Sequence, residues 1–233
     1  MNFKGKAKRL DDIDLPRIGA QIGVGEDEIH AVLDVETRGG GFDKFGRPKM
    51  LFEPHIFYRE LDGDKRQKAI DAGVAYKKWG TRKYPKDSYG NLARAMKIDR
   101  GAALRSASWG MGQIMGFNHK LAGYSDVVSM VSAFLDDEAA QLQAMVKFIE
   151  ANGLDDELRN HDWRGFARGY NGPGYAKHGY HLKLARAYAK WSEIPDTPFQ
   201  IDRTPDEIPA VASFLERLIE ALQILFTKPA VKS

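Results

Sequence analysis

Cysteine is absent from this 233-residue chain, and that absence removes several chemistries at once. There can be no disulfide framework, no thiolate nucleophile and no cysteine-held zinc, although nothing about the redox compartment follows. Long hydrophobic runs are missing too. No apolar stretch approaches the ~18 residues that a membrane-spanning helix needs. The opening MNFKGKAKRLDDIDL begins basic but has no apolar core behind its charges, so no cleavable signal peptide is visible. A protein acting outside the cytoplasm would need another exit route. No internal repeat is present, and neither sign of charge dominates: 35 Lys and Arg against 32 Asp and Glu leave +3. Basic residues gather at Lys4, Lys6, Lys8 and Arg9, and again at Lys77, Lys78, Arg82, Lys83 and Lys86. Such a mild surplus points only weakly to an anionic polymer, and scattered solvated lysines explain it equally well. No nucleic-acid partner is expected.

What is present is enough for a folded, soluble chain. Hydrophobic residues make up 43% and charged residues 29%, which suits one domain of ordinary size with an appendage. The spacing of Ile29, Val32, Leu33 and Glu36 predicts a helix from Glu26, with acidic residues in its first turn and a stop at Gly39, Gly40 and Gly41. GFDKFGRPKMLFEPHIF reads as a small β-hairpin around Phe-Gly-Arg-Pro. Helices are expected over 63–79 and 90–105, with a loop from Gly110 to Gly116. One long helix, with Met130, Phe134, Leu142, Met145 and Ile149 on its apolar stripe, is expected to run from Val127 to the Asn152-Gly153 stop. A helix over 155–168, the loop GYNGPGY and a last helix through Trp191 follow. A Pro- and Asp-rich linker then leads to an amphipathic helix over 207–226. The expected division is a catalytic domain over 1–195 and a linker with helix over 196–233. The expected fold class is α+β, mainly α.

Glu36 stands out because it ends an apolar-faced helix just before a glycine run. A carboxylic acid so placed has the dry surroundings that keep it protonated and an open loop through which a ligand can approach. Two later stretches share that character. SASWGMGQIMG sets glycines around Gln113, and ARGYNGPGY presents Tyr170 and Asn171 beside others. Glycine admits close backbone approach, while Gln, Asn and Tyr offer hydrogen bonds to hydroxyl and acetamido groups. Each stretch alone is equally a tight interhelical turn.

The order Glu36-Thr37, Trp109-Gly110-Met111-Gly112-Gln113-Ile114, Gly169-Tyr170-Asn171-Gly172 resembles goose-type lysozymes and soluble lytic transglycosylases. More closely, residues 10–191 resemble the phage and prophage N-acetylmuramidases (endolysins), through VETRGGGFD, RPKMLFEPHIFY, SASWGMGQIMGFN and RGYNGPGYA. The resemblance implies a lysozyme-like fold that cleaves peptidoglycan between N-acetylmuramic acid and N-acetylglucosamine. It implies Glu36 as catalytic acid, with Thr37, Trp109, Gln113, Tyr170 and Asn171 along the substrate cleft. Thr37 for serine, Gly112 before Gln113 and Gly169 for alanine are departures from the older pattern. The second carboxylate is expected at Glu53, beyond the hairpin turn, with Asp43 or no residue as alternatives. Without one, a lytic transglycosylase outcome is favoured.

Phe57, Tyr58, Trp109, Phe117, Tyr175 and Tyr180 are candidates for a sugar-binding groove, although core packing is the stronger reading of each. His178 and His181, with His161 and His55, are weighed as a zinc site of an amidase acting on peptide stems, but no HExxH pattern accompanies them. No metal or cofactor is expected. The expected partner is peptidoglycan, met as a monomer. Synthesis is expected in the host bacterial cytoplasm, with action in the periplasm after release. For 207–226, packing or self-association is preferred over membrane contact, because Glu207, Glu216 and Glu220 oppose anionic lipid. A wall-binding phage structural module without turnover is the competing class.

Overall fold

Aspartates that compete for backbone N–H groups cut this chain into shorter helices than its apolar periodicity suggests. The computed structural model describes residues 2–37 and 39–199. The helix expected over 207–226, and any membrane contact through it, lies outside the described residues. In chain order the helices are α1 (Asp14–Gly19), α2 (Glu26–Glu36), α3 (Pro54–Glu60), α4 (Gly63–Asp71), α5 (Tyr89–Met96) and α6 (Arg100–Arg105). They continue as α7 (Val127–Asp136), α8 (Glu138–Ala151), α9 (Asp155–Arg159), α10 (Trp163–Asn171), α11 (Tyr175–His178) and α12 (Tyr180–Trp191).

Three expected helices are broken. The long helix after Val127 divides at Asp137, whose extended backbone (φ −149°, ψ 132°) starts α8 while its side chain accepts from Ala139 N at 2.8 Å. Asp99 does the same between α5 and α6, accepting from Ala102 N at 2.9 Å. Asp162 caps α10 through Gly165 N at 3.0 Å, which separates it from α9. Each cap satisfies a helix N–H that would otherwise lack a partner, a gain of about 1 kcal/mol. The helix expected over 63–79 also ends early, at Asp71, and 76–87 has no regular structure.

The expected hairpin is likewise corrected. Phe42 and Pro48 make one isolated bridge, and strand β1 (Met50–Phe52) pairs elsewhere. Its antiparallel partner is β2 (Ala107–Trp109), which in turn pairs with β3 (Ile114–Met115). The stretch expected to be a loop, Gly110 to Gly116, therefore supplies β3 and the turn at Gly110–Gln113 that joins it to β2 in a three-stranded sheet. Gly110 (φ +70°) and Gln113 (φ +47°) both take left-handed backbone there.

Two apolar clusters form the core. Phe52, Phe57, Leu92, Leu104, Trp109 and Phe134 gather around the sheet. Ile18, Ile29, Val32, Leu142, Phe166 and Leu184 join α1, α2, α8, α10 and α12. Helix α8 serves both, giving Ala144 to the first and Met145, Val146 and Ile149 to the second. Full burial of each large side chain is worth about 1.5–3 kcal/mol.

The basic N-terminal stretch has a structural use. Ala7 N and Lys8 N donate to Leu135 O and Asp136 O, and Glu138 N returns a bond to Lys8 O at 3.0 Å. The break at Asp137 thus exposes backbone groups that the N-terminal segment satisfies. Phe3 anchors that segment by stacking on Trp109 with ring centroids 5.8 Å apart.

Gln141 is wholly buried, accepts from Met111 N at 2.8 Å and donates to Phe134 O at 3.0 Å. Gln141→Leu keeps the volume but strands both groups. Urea unfolding is expected to show a loss of about 2 kcal/mol or more. Wild-type stability would mean that water replaces the amide.

Candidate active site

Helix α2 carries Glu36 to a cleft of about 700 Å³ whose lining includes Thr37, Gly40, Asp43, Gly110, Met111 and Gln113. The helix starts with Gly25 N donating to Glu28 Oε2 at 2.9 Å and buries Ile29, Ala31 and Val32. It ends because Thr37 turns out of helical geometry (φ −107°, ψ 81°), while its N and Oγ1 bond Leu33 O at 2.9 and 2.8 Å. The last side chain of the helix is therefore held at a rigid end.

Two of the glycines that follow meet close neighbours, while Gly39 instead takes left-handed backbone (φ +70°) in open space. A Cβ on Gly41 would lie 1.8 Å from Gln141 Oε1, and one on Gly40 would lie 3.0 Å from Glu138 Oε1. Glu138 is only 3% exposed and accepts from Gly41 N at 2.6 Å, Arg9 Nη1 at 2.6 Å and Leu10 N at 3.1 Å. The first turn of α8 thus grips both loops beside the cleft: Glu138 holds 39–41, and Gln141 holds the turn at 110–113.

Within that turn Gln113 is exposed to the cleft. Its Oε1 accepts from Ser108 Oγ at 2.9 Å, and its Nε2 donates to Gly110 O at 2.8 Å. Asn171, on the last turn of α10 and not in a loop, donates Nδ2 to Glu36 Oε1 at 3.0 Å and Oε2 at 3.1 Å. Its Oδ1 is buried without a hydrogen-bond partner among the described residues. Tyr170 supports the same corner from beneath, stacked on Phe166, with its hydroxyl 3.4 Å from Gly112 O. Burial pushes that hydroxyl well above the usual phenol range.

Burial also raises Glu36 above the ordinary carboxyl range, against the opposing Asn171 hydrogen bond and the charge of Lys183. Asp43 behaves oppositely. Burial would raise it, but bonds from Arg47 N and its guanidinium and from Phe45 N prevail, so it lies below that range. The cleft therefore holds one acid biased to keep its proton and one biased to lose it.

The remaining expected residues scatter. Glu53 is not among the cleft-lining residues: it precedes α3, and its Oε2 meets the Tyr84 hydroxyl and, at 3.2 Å, His55 Nδ1. Burial and the Glu53 carboxylate push the Tyr84 phenol up to about 12. Trp109 has no exposed surface, and its indole N–H is spent on Leu104 O at 3.0 Å. It is a core residue, which corrects its assignment to substrate contact. None of the six candidate groove aromatics lines the cleft; Phe45 and Tyr89 do. Phe45 is 54% exposed, and Tyr89 packs beneath Arg47 at 4.1 Å. Sequence reading missed Phe45, Tyr89, Glu138 and Gln141. A Glu and a Gln three residues apart within an apolar stripe was the one available signal for the last two. Among the described residues no three His, Asp or Glu side chains gather to hold a metal. His55 meets Glu53, and His161 meets Glu28.

A mainly helical fold with a small antiparallel sheet, and a half-buried glutamate at a helix end lining an open cleft, fit a lysozyme-like glycosidase. Residues 26–192 match the family model for Muramidase (N-acetylmuramidase), and the chain belongs to that family. It is accordingly a glycoside hydrolase of peptidoglycan. Among solved structures it is similar to the Burkholderia AP3 phage endolysin. The match has 38% identity and a TM-score of 0.73, covering 80% of this chain and 73% of that one. A comparison with curated proteins gives no match.

Two outcomes follow from the raised acid. The folded state holds the Glu36 proton more tightly than the unfolded chain does. That contribution to stability is complete below the ordinary carboxyl range and is lost as pH climbs through the raised value. Glu36→Gln is therefore expected to melt at or above the wild-type temperature at neutral pH, and a clear drop would contradict a buried, costly charge. Asn171→Leu removes a bond that favours the ionised form, so the alkaline limb of kcat/KM should move to higher pH. A limb that stays put would separate Asn171 from the acid.

Proposed function

We propose that this chain is a phage or prophage endolysin that hydrolyses the bond from muramic acid C1 to the O4 of N-acetylglucosamine, with Glu36 as general acid. The observation that carries this reading is the raised, Asn171-clamped carboxyl at the edge of a cleft large enough for sugar rings. Glu36 gives its proton to the leaving O4 as the C1–O4 bond breaks, and water adds to C1. Once Glu36 is protonated, a rotation of the Asn171 amide lets the unpaired Oδ1 accept the acid's hydrogen. Thr37, Gln113 and the edge of Phe45 bind the glycan, Gln113 by hydrogen bonds and Phe45 by stacking on a pyranose face.

Glu53 is the better-suited base for the water. It lies two residues beyond Leu51, so the strand's alternation turns it to the same side of the sheet as that cleft-lining residue. Asp43 lines the cleft itself, but its oxygens are taken up in holding the 43–47 turn to Arg47. It therefore supplies fixed charge and rigidity. The enzyme acts as a monomer on the wall, after synthesis in the host cytoplasm and release. Residues 1–195 form the catalytic domain.

Glu36→Gln is expected to abolish release of soluble fragments from purified sacculi while the protein stays folded. Normal release would end the mechanism. Glu53→Gln should lower kcat by roughly 10²–10⁴-fold, as removal of a general base does, with little change in melting. Asp43→Asn should lower stability more than turnover. Mass spectrometry of the digests is expected to show reducing muramic acid ends. Anhydromuramic ends would instead make the enzyme a lytic transglycosylase, in which the muramic 6-hydroxyl attacks C1.

A further inference from the structure

Beside the cleft lies a second cavity of about 240 Å³, built mainly from the irregular segment between α4 and α5. Lys78, Arg82, Lys83 and Arg94 line it, with Trp79 and Tyr84 among its walls. None of its described lining residues is acidic. Among the described residues, Lys78, Arg82 and Lys83 make no ion pair, and Trp79 is 71% exposed. Arg82 lies over the Tyr76 ring at 5.0 Å, and Arg94 donates to Ala72 O and Asn91 Oδ1. The two guanidinium groups are thus positioned by local contacts that leave their charge uncompensated. The Glu53 carboxylate touches the wall residues Tyr84 and His55 through Oε2 alone.

The cavity and the cleft are contiguous along the chain: Pro85 belongs to the first, and its neighbour Lys86 to the second. Cα atoms one residue apart are ~3.8 Å apart, so the two linings adjoin at Pro85–Lys86. In peptidoglycan the lactyl group of muramic acid is the attachment point of a peptide stem with free carboxylates. A stem tethered to a bound glycan meets the four cations at a high effective concentration.

We propose that this cavity is a subsite for the carboxylates of the peptide stem, held by Lys78, Arg82, Lys83 and Arg94 while the glycan occupies the cleft. The proposal rests on the glycan lying beside Glu36. Arg82 and Arg94 supply planar donor forks to carboxylate, and the lysines add mobile donors. A concave, walled site whose lining adjoins that of the cleft suits a tethered anionic peptide better than a lipid surface, which would need a broad patch. The enzyme would then read the stems as well as the sugars, preferring wall that still bears peptide.

The test compares glycan strands bearing stems with strands stripped of them by an amidase, using the full chain. The wild type is expected to show the lower KM on stem-bearing strands. The triple variant Lys78→Ala, Arg82→Ala, Lys83→Ala alters only exposed side chains. It should raise that KM roughly 10- to 100-fold, the scale of lost charge-assisted hydrogen bonds, with kcat unchanged. Its KM on stripped strands should match the wild type. Lys78→Arg with Lys83→Arg should retain the preference. Soluble stem tetrapeptide should inhibit the wild type and not the triple variant. Equal losses on both substrates, or a triple variant altered only in binding to phosphatidylglycerol vesicles, would overturn the subsite. Turnover of stripped strands by Glu36→Gln would instead overturn the cleft reading, so the two failures are distinguishable.

Discussion

The first turn of α8 is the constraint on which the cleft depends. Glu138 and Gln141 point from it into the core, and an unsatisfied carboxylate or amide there would cost more than either bond contributes. Their partners are backbone N–H groups of the two loops flanking the cleft and of the N-terminal segment, together with the Phe134 carbonyl of α7. Those loops must approach so closely that Gly41 has no room for a side chain. Gly40 and Gly41 are therefore fitted to a helix a hundred residues later in the chain. They are a demand of packing before they are a provision for substrate.

That arrangement helps a chain with 29% charged residues shield one carboxyl from water. Glu36 is on the last turn of a helix whose inner face is packed against α12, α1 and α10. Its polar neighbour is an amide, which orients the carboxyl without neutralising it as an arginine would. Asp43, a few residues on, has such an arginine and is driven the other way. Two carboxyls of similar intrinsic acidity thus diverge through their surroundings, the pattern expected where acid and charged roles are divided. The cleft lining mixes both signs of charge, whereas the cavity formed by the segment before α5 has cations and no acidic residue among its described lining.

The site was legible where chemistry is local. Glu36 could be picked out because helix periodicity and a glycine stop meet at it, and the four motifs in order carried the family. Gln113 and Asn171 were found through the same motifs, although Asn171 proved to be helical. Trp109 misled because an aromatic beside glycines looks the same in sequence whether it lines a groove or fills a core. Phe45 and Tyr89 escaped notice because nothing nearby in the chain marks a residue as facing a cleft.

The amino-acid order by itself determined the class of enzyme, the candidate carboxyl at the cleft and the mainly helical content, since motif identity and apolar spacing are properties of neighbours in the chain. Tertiary structure alone decided where the helices break, which strand β1 pairs with and which carboxylate shares the cleft with Glu36. The physical reason is the same in each case. An aspartate becomes a cap, a strand gains a partner and a carboxyl gains or loses its proton only when groups distant in sequence supply the missing hydrogen bond or exclude the water.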